Sequence, residues 1–113
     1  MLKVGSIYKP ETQEGRLLFV GRSTSFPKCP KGTSDLSILG NPFPMKNKED
    51  RDNACDQYII WLKDQYNNNT KIHNMIDKLV LAHKSEKVFT LLCFCHPKRC
   101  HADEIINFIL LIS

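Results

Sequence analysis

Leu91-Leu92-Cys93-Phe94-Cys95-His96-Pro97-Lys98-Arg99-Cys100-His101 reads as a buried strand, then a basic turn, then a helix start. The strand ends on a thiol, and a second thiol and an imidazole stand where the helix begins. Strand, turn and helix N-terminus is the arrangement in which α/β proteins place anionic ligands and reactive groups. Upstream, Leu17-Leu18-Phe19-Val20 forms another unbroken apolar run, stopped by Gly21. Continuous rather than alternating apolarity predicts strands covered on both faces, the mark of a parallel sheet.

Helical periodicity fills the space between these runs. A helix is expected over about Arg51–Tyr66, capped by Asn47 or Asp50, with Ala54, Tyr58, Trp61, Leu62 and Gln65 on one stripe. The Asn67–Asn69 run breaks it. A second helix, about Lys71–Lys84, places Ile72, Met75, Ile76, Leu79, Val80 and His83 on one face. Ser85-Glu86-Lys87 turns into the strand Val88–Phe94, and Ala102–Leu111 closes the chain as a helix. Asp103 and Glu104 stand in its first turn, where the helix dipole favours acids. Leu2–Tyr8 is a short strand weakened by Gly5 and Ser6. Between Arg22 and Lys48 lies a long irregular segment; counted from Gly21 it holds four prolines and three glycines. Loops of that length inside a small domain are usually functional or partly disordered.

Strand, long loop, two helices, strand and helix predict one α/β domain over residues 1–113, a small Rossmann-like parallel sheet flanked by helices. The last helix carries Ile105, Ile106, Phe108, Ile109, Leu110, Leu111 and Ile112 with almost no polar face. It is expected to be wholly buried or to form half of a homodimer interface, and a chain of 113 residues has little core in which to bury every side.

Composition narrows the classes. Apolar content of 42% and charged content of 25% describe a globular chain and exclude wholesale disorder. The net charge of +4 divides into +3 over residues 1–50 and +1 over the rest. That excess favours anionic ligands without forming the basic stripe of a nucleic-acid binder. No segment resembles a signal peptide or a membrane span, so a cytoplasmic protein is expected, in the host cytoplasm if viral. In that reducing compartment five cysteines point to metal or reactive thiol rather than disulfides. Abundant Lys and Asn fit an A/T-rich bacterial or viral genome.

Three constellations carry possible chemistry. If the two apolar runs are parallel neighbours, Gly21-Arg22-Ser23 lies beside Cys93-Phe94-Cys95 at the sheet edge that usually holds ligands. Gly21 would let a ligand approach the backbone and Arg22 would grip phosphate or carboxylate, against the plain alternative of a strand end with a solvated arginine. In Gly40-Asn41-Pro42-Phe43, Pro42 forces Asn41 into an extended geometry and Gly40 is free to take a positive φ. A fixed Asn41 amide suits base or sugar recognition, and Phe43 stacks on a ligand or anchors the loop. The cysteine cluster has three readings. Cys93, Cys95, Cys100 and His101 form a C-x-C-x4-C-H set with enough ligands for a structural zinc, although adjacent Cys100 and His101 seldom share an ion. Alternatively Cys100 is a thiolate favoured by the helix start, Lys98 and Arg99, with His101 or His96 as base. In the third reading Cys93 and Cys95 are core residues, and Cys100 and His101 cap the helix. Cys29 and Cys55 have no partner pattern.

Val20-Gly21-Arg22, Leu39-Gly40-Asn41-Pro42-Phe43 and Cys93-x-Cys95-x-Pro97-x-x-Cys100-His101-x-Asp103, in this order, resemble the domain of unknown function 4326 family of phages and bacteria. The likeness runs from about residue 18 to residue 106, with Arg51, Tyr58, Trp61 and Leu62 fitting the family's central helix. Phe94 agrees with its usual aromatic residue, whereas Ala102 stands where members carry Gly. The resemblance implies a small Rossmann-like fold with a pocket built from these motifs, and it brings no established activity.

The resulting expectation is a domain that binds a small anionic molecule, above all a nucleotide or nucleotide-derived metabolite. Gly21, Arg22, Ser23, Gly40, Asn41, Phe43, Cys95 and Asp103 would line the site. Cys100 and His101 would supply turnover, with no cofactor unless zinc is held. One alternative is a viral protein that sequesters a signalling nucleotide without turnover. Another is a zinc-stabilised nucleic-acid-binding module using Lys28, Lys31, Lys46 and Lys48.

Overall fold

The structure is a computed structural model that describes residues 1–8, 14–21, 30, 32–43, 49–93 and 98–113. Arg22, Ser23, Lys28, Cys29, Lys31, Lys46, Asn47, Lys48, Cys95 and His96 lie outside the described residues.

The run that opens the sequence supplies the centre of a four-stranded sheet. Strand β4 (Phe89–Cys93) lies between β1 (Leu2–Ser6) and β2 (Arg16–Phe19), and β3 (Ser34–Asp35) extends the sheet beyond β2. Every pairing is parallel, with Leu18 opposite Leu91, Phe19 opposite Leu92, and Ser6 opposite Cys93. Both faces of β4 are buried, Leu91 and Cys93 on one side and Thr90 and Leu92 on the other, which explains why it is apolar almost throughout. Its one polar residue, Thr90, is buried and gives its hydroxyl to the Glu14 carbonyl at 2.7 Å, which offsets the desolvation. The two-residue strand β3 falls within the long irregular segment, where no strand is expected; so short an element leaves no periodicity in sequence.

Helices α1 (Asp50–Asn68), α2 (Thr70–Lys84) and α3 (His101–Ile112) follow the expected order with slightly wider limits. Side chains alternate across a strand, so Leu2, Leu18, Leu91 and Cys93 face the helices while Leu17, Phe19 and Leu92 gather with Ile7 on the opposite face. Tyr58, Leu62, Ile72, Ile76, Leu79, Ile105 and Ile109 complete the helix-side core. Burying each such aliphatic side chain contributes roughly 1.5–3 kcal/mol. The result is the small α/β fold anticipated from the sequence, with the described helices packed against one sheet face.

Local chemistry sets the element ends. Asn69 closes α1 and caps α2, its side-chain oxygen accepting from the Lys71 and Ile72 amides at 3.1 and 3.2 Å. The residue preceding α1 is Glu49, which makes no side-chain cap bond, rather than the expected Asp50, which is already helical. Gly15 enters β2 at φ +71°, with its Cα against the Val88 carbonyl, so a Cβ there would be both strained and obstructed. The last helix is neither wholly buried nor wholly open. His101, Ala102, Glu104, Ile105, Phe108 and Ile109 are buried, whereas Leu110, Leu111 and Ile112 project from its final turn. Among the described residues no helix is long and apolar enough to cross a membrane.

Candidate functional site

Because β2 and β4 are parallel neighbours, their C-terminal ends share one edge of the sheet. Val20 and Gly21 follow β2 there, and Cys93 ends β4. Helix α3 starts beside them, with Cys100 at its N-cap and its backbone N–H donating to an Asp103 carboxylate oxygen at 3.0 Å. Asp103 therefore serves the helix start with at least one of its oxygens.

The two sulfurs meet at this edge. Cys93 and Cys100 are joined as a disulfide, their Cα atoms 7.0 Å apart, a pairing not anticipated from the sequence. A parallel strand followed by a helix that folds back over the sheet brings the last residue of one beside the cap of the other. His101 adds its ring to the pair. Its Nε2 lies 2.6 Å from the Val20 carbonyl, and its Nδ1 lies 3.4 Å from the Cys100 Sγ. A carbonyl oxygen only accepts, so Nε2 carries a proton, and Nδ1 is the ring nitrogen that faces the sulfur. Cys93, Cys100 and His101 are all buried, with their ligand atoms within 4.8 Å of one another.

The loop around Asn41 is tied into the same place through Tyr58. The Tyr58 hydroxyl donates to the Leu39 carbonyl at 2.6 Å, and its ring meets His101 edge-on, with centroids 5.2 Å apart. Burial pushes the phenol well above its usual pKa, which keeps it a donor throughout the neutral range. Asn41 is buried, and its side-chain oxygen accepts from the Phe43 amide at 2.9 Å, closing a turn around Pro42. Phe43 packs half-buried against the core, in the anchoring role. Gly40 differs from expectation: at φ −60° and ψ 147° it is extended, so the turn does not use its freedom at positive φ.

Val20-Gly21, Leu39–Phe43 and Cys100-His101 are thus linked by the His101–Val20 bond, the Tyr58–Leu39 bond and the Tyr58–His101 ring contact. Arg22, Ser23 and Cys95 lie outside the described residues. Arg99, expected to favour a thiolate, is engaged elsewhere. Its guanidinium bonds Glu104 at 2.8 Å, Asp56 at 2.9 Å and Asp52 at 3.0 Å, and these carboxylates hold it firmly protonated. Arg99 thereby fastens the turn before α3 to the first turns of α1. The sequence held a signal for it: Asp52 and Asp56, four residues apart, form one acidic helix face that a cation from elsewhere can answer. Tyr58 gave no such signal, because its place on the apolar stripe concealed its hydroxyl.

A separate surface hollow of about 570 Å³ lies at the start of β2 and β4, lined by Glu14, Gly15, Arg16, Lys87, Val88 and Phe89. It is at the opposite edge of the sheet from the cysteines. No curated protein and no solved structure matches the chain. The model of one family, described as a domain of unknown function (DUF4326), matches residues 9–110, which take in β2, β3, β4, α1, α2, most of α3 and the linked motifs but not β1, and the chain belongs to that family.

Proposed function

We propose that the chain binds a small anionic molecule, a nucleotide or nucleotide-derived metabolite, at the C-terminal edge of its sheet. The observation that carries this reading is the linkage of three sequence-distant loops around Tyr58 and His101 at that edge. Open parallel sheets offer ligands their strand C-termini, where loops and a helix N-terminus converge. Arg22 would meet the phosphate and Asn41 the base or sugar, with Gly21, Ser23 and Phe43 shaping the approach.

Binding without turnover is favoured over catalysis by one feature. In the oxidised pair, Cys100 has no thiolate to offer and the His101 Nε2 proton is committed to Val20. A protein that sequesters its ligand without turnover fits this chemistry. The exposed Leu110 and Leu111 on α3 would then serve a homodimer.

A melting screen across nucleoside phosphates and cyclic nucleotides tests the reading. A true ligand at 100 times its Kd stabilises the fold by about 2.7 kcal/mol, and Arg22→Ala should abolish most of that gain. If no nucleotide raises the melting temperature at millimolar concentration, the proposal fails. If instead affinity for oligonucleotides appears and falls steeply with salt, a nucleic-acid module takes its place.

A further inference from the structure

We infer that Cys93, Cys100 and His101 form a redox-gated site for a thiophilic divalent cation, zinc above all, open only when the Cys93–Cys100 disulfide is reduced. The three ligand atoms already lie within 4.8 Å of one another, and all three residues are buried. In a tetrahedral zinc site, Zn–S of about 2.3 Å and Zn–N of about 2.05 Å place the sulfur and nitrogen ligands about 3.6 Å apart. The Cys100 Sγ and His101 Nδ1 stand 3.4 Å apart, so this edge of the tetrahedron is nearly in place. That distance also answers the expectation that neighbouring Cys and His seldom share an ion: the extended N-cap residue turns its sulfur to the ring nitrogen that follows. The ring is oriented as metal-binding imidazoles commonly are, with the far N–H anchored on a carbonyl, here that of Val20.

The two occupancies exclude each other. Two thiolates on one tetrahedral zinc lie about 3.8 Å apart, far beyond bonding contact between the sulfurs. Opening the site needs a dithiol reductant of the thioredoxin class. The Cys93–Cys100 bond breaks as both sulfurs take up two electrons and two protons, and the reductant closes its own disulfide. The cation then displaces the two thiol protons to solvent and gains two thiolates and a neutral imidazole. Solvent or an exogenous anion fills the fourth position. Ion binding would occupy both Cys100 and His101, so loaded protein has neither group for turnover.

The experiment uses the full chain, stripped of metal, in oxidised and phosphine-reduced forms, titrated with zinc against a chromophoric chelator. The reduced protein should take up one equivalent with a rise in melting temperature, and the oxidised protein none. Cys93→Ser should weaken binding on the order of 100-fold or more. Should that variant fail to fold, alkylation of the wild-type protein decides the matter. Zinc should protect Cys93 and Cys100 from alkylation in reduced protein while Cys29 and Cys55 show no zinc dependence, and oxidised digests should yield the two residues on one linked peptide. Equal zinc uptake by oxidised and reduced protein, no uptake by either, or protection of Cys29 or Cys55 in place of Cys93 and Cys100 would overturn the inference.

Discussion

At the residue scale, the site depends on side chains whose second function is hidden by their first. Tyr58 reads in sequence as one more member of an apolar stripe, and it is indeed fully buried. Its hydroxyl nevertheless holds the Leu39 carbonyl, and its ring supports His101. Tyr58→Phe keeps the ring and leaves a buried carbonyl unsatisfied, which should cost about 1–3 kcal/mol in denaturant unfolding. The same variant should flatten the alkaline limb of the stability profile. The folded phenol titrates above the unfolded one, so its contribution is full below pH of about 10 and falls as pH rises further. An unchanged alkaline limb would show that Tyr58 carries no such linkage. His101 illustrates the converse: its type and place beside Cys100 were legible, but which ring nitrogen held the proton depended on Val20, 81 positions away.

At the scale of elements, the apolar runs and the helical stripes were legible because each records a repeated environment: a strand covered on both faces, a helix with one buried side. The expected helices therefore match α1, α2 and α3 to within two residues at each end. Strand β3 and the disulfide were not legible, since two residues have no period and a cysteine pair depends on distance in space. Arg99 shows how such elements are fastened. Its partners Asp52 and Asp56 are exposed, whereas Glu104 is buried, so the three contacts are unequal. Exposed pairs contribute about 0–1 kcal/mol, while removing the partner of a buried charge costs roughly 3–5 kcal/mol. Arg99→Ala should approach the larger figure in chemical denaturation, and Asp56→Asn should stay below about 1 kcal/mol. Comparable losses for both variants would mean that Glu104 finds another partner.

At the scale of the whole molecule, α3 buries one flank against the sheet and α1 and leaves its last turn apolar and open, with Leu111 73% exposed. If the proposed homodimer forms there, Leu111→Lys should shift sedimentation towards the monomer while leaving the melting temperature of the monomer nearly unchanged. A monomeric wild-type protein removes that proposal. By itself the sequence determined the class of fold, the order of its helices and the three motifs, because local periodicity, caps and residue types are properties of neighbours along the chain. Only the tertiary structure decided that β4 lies between β1 and β2, that Tyr58 and His101 draw the motifs together, and that Cys93 bonds Cys100. Those facts are distances between residues far apart in the chain, set by how the sheet and helices pack, and no local pattern encodes them.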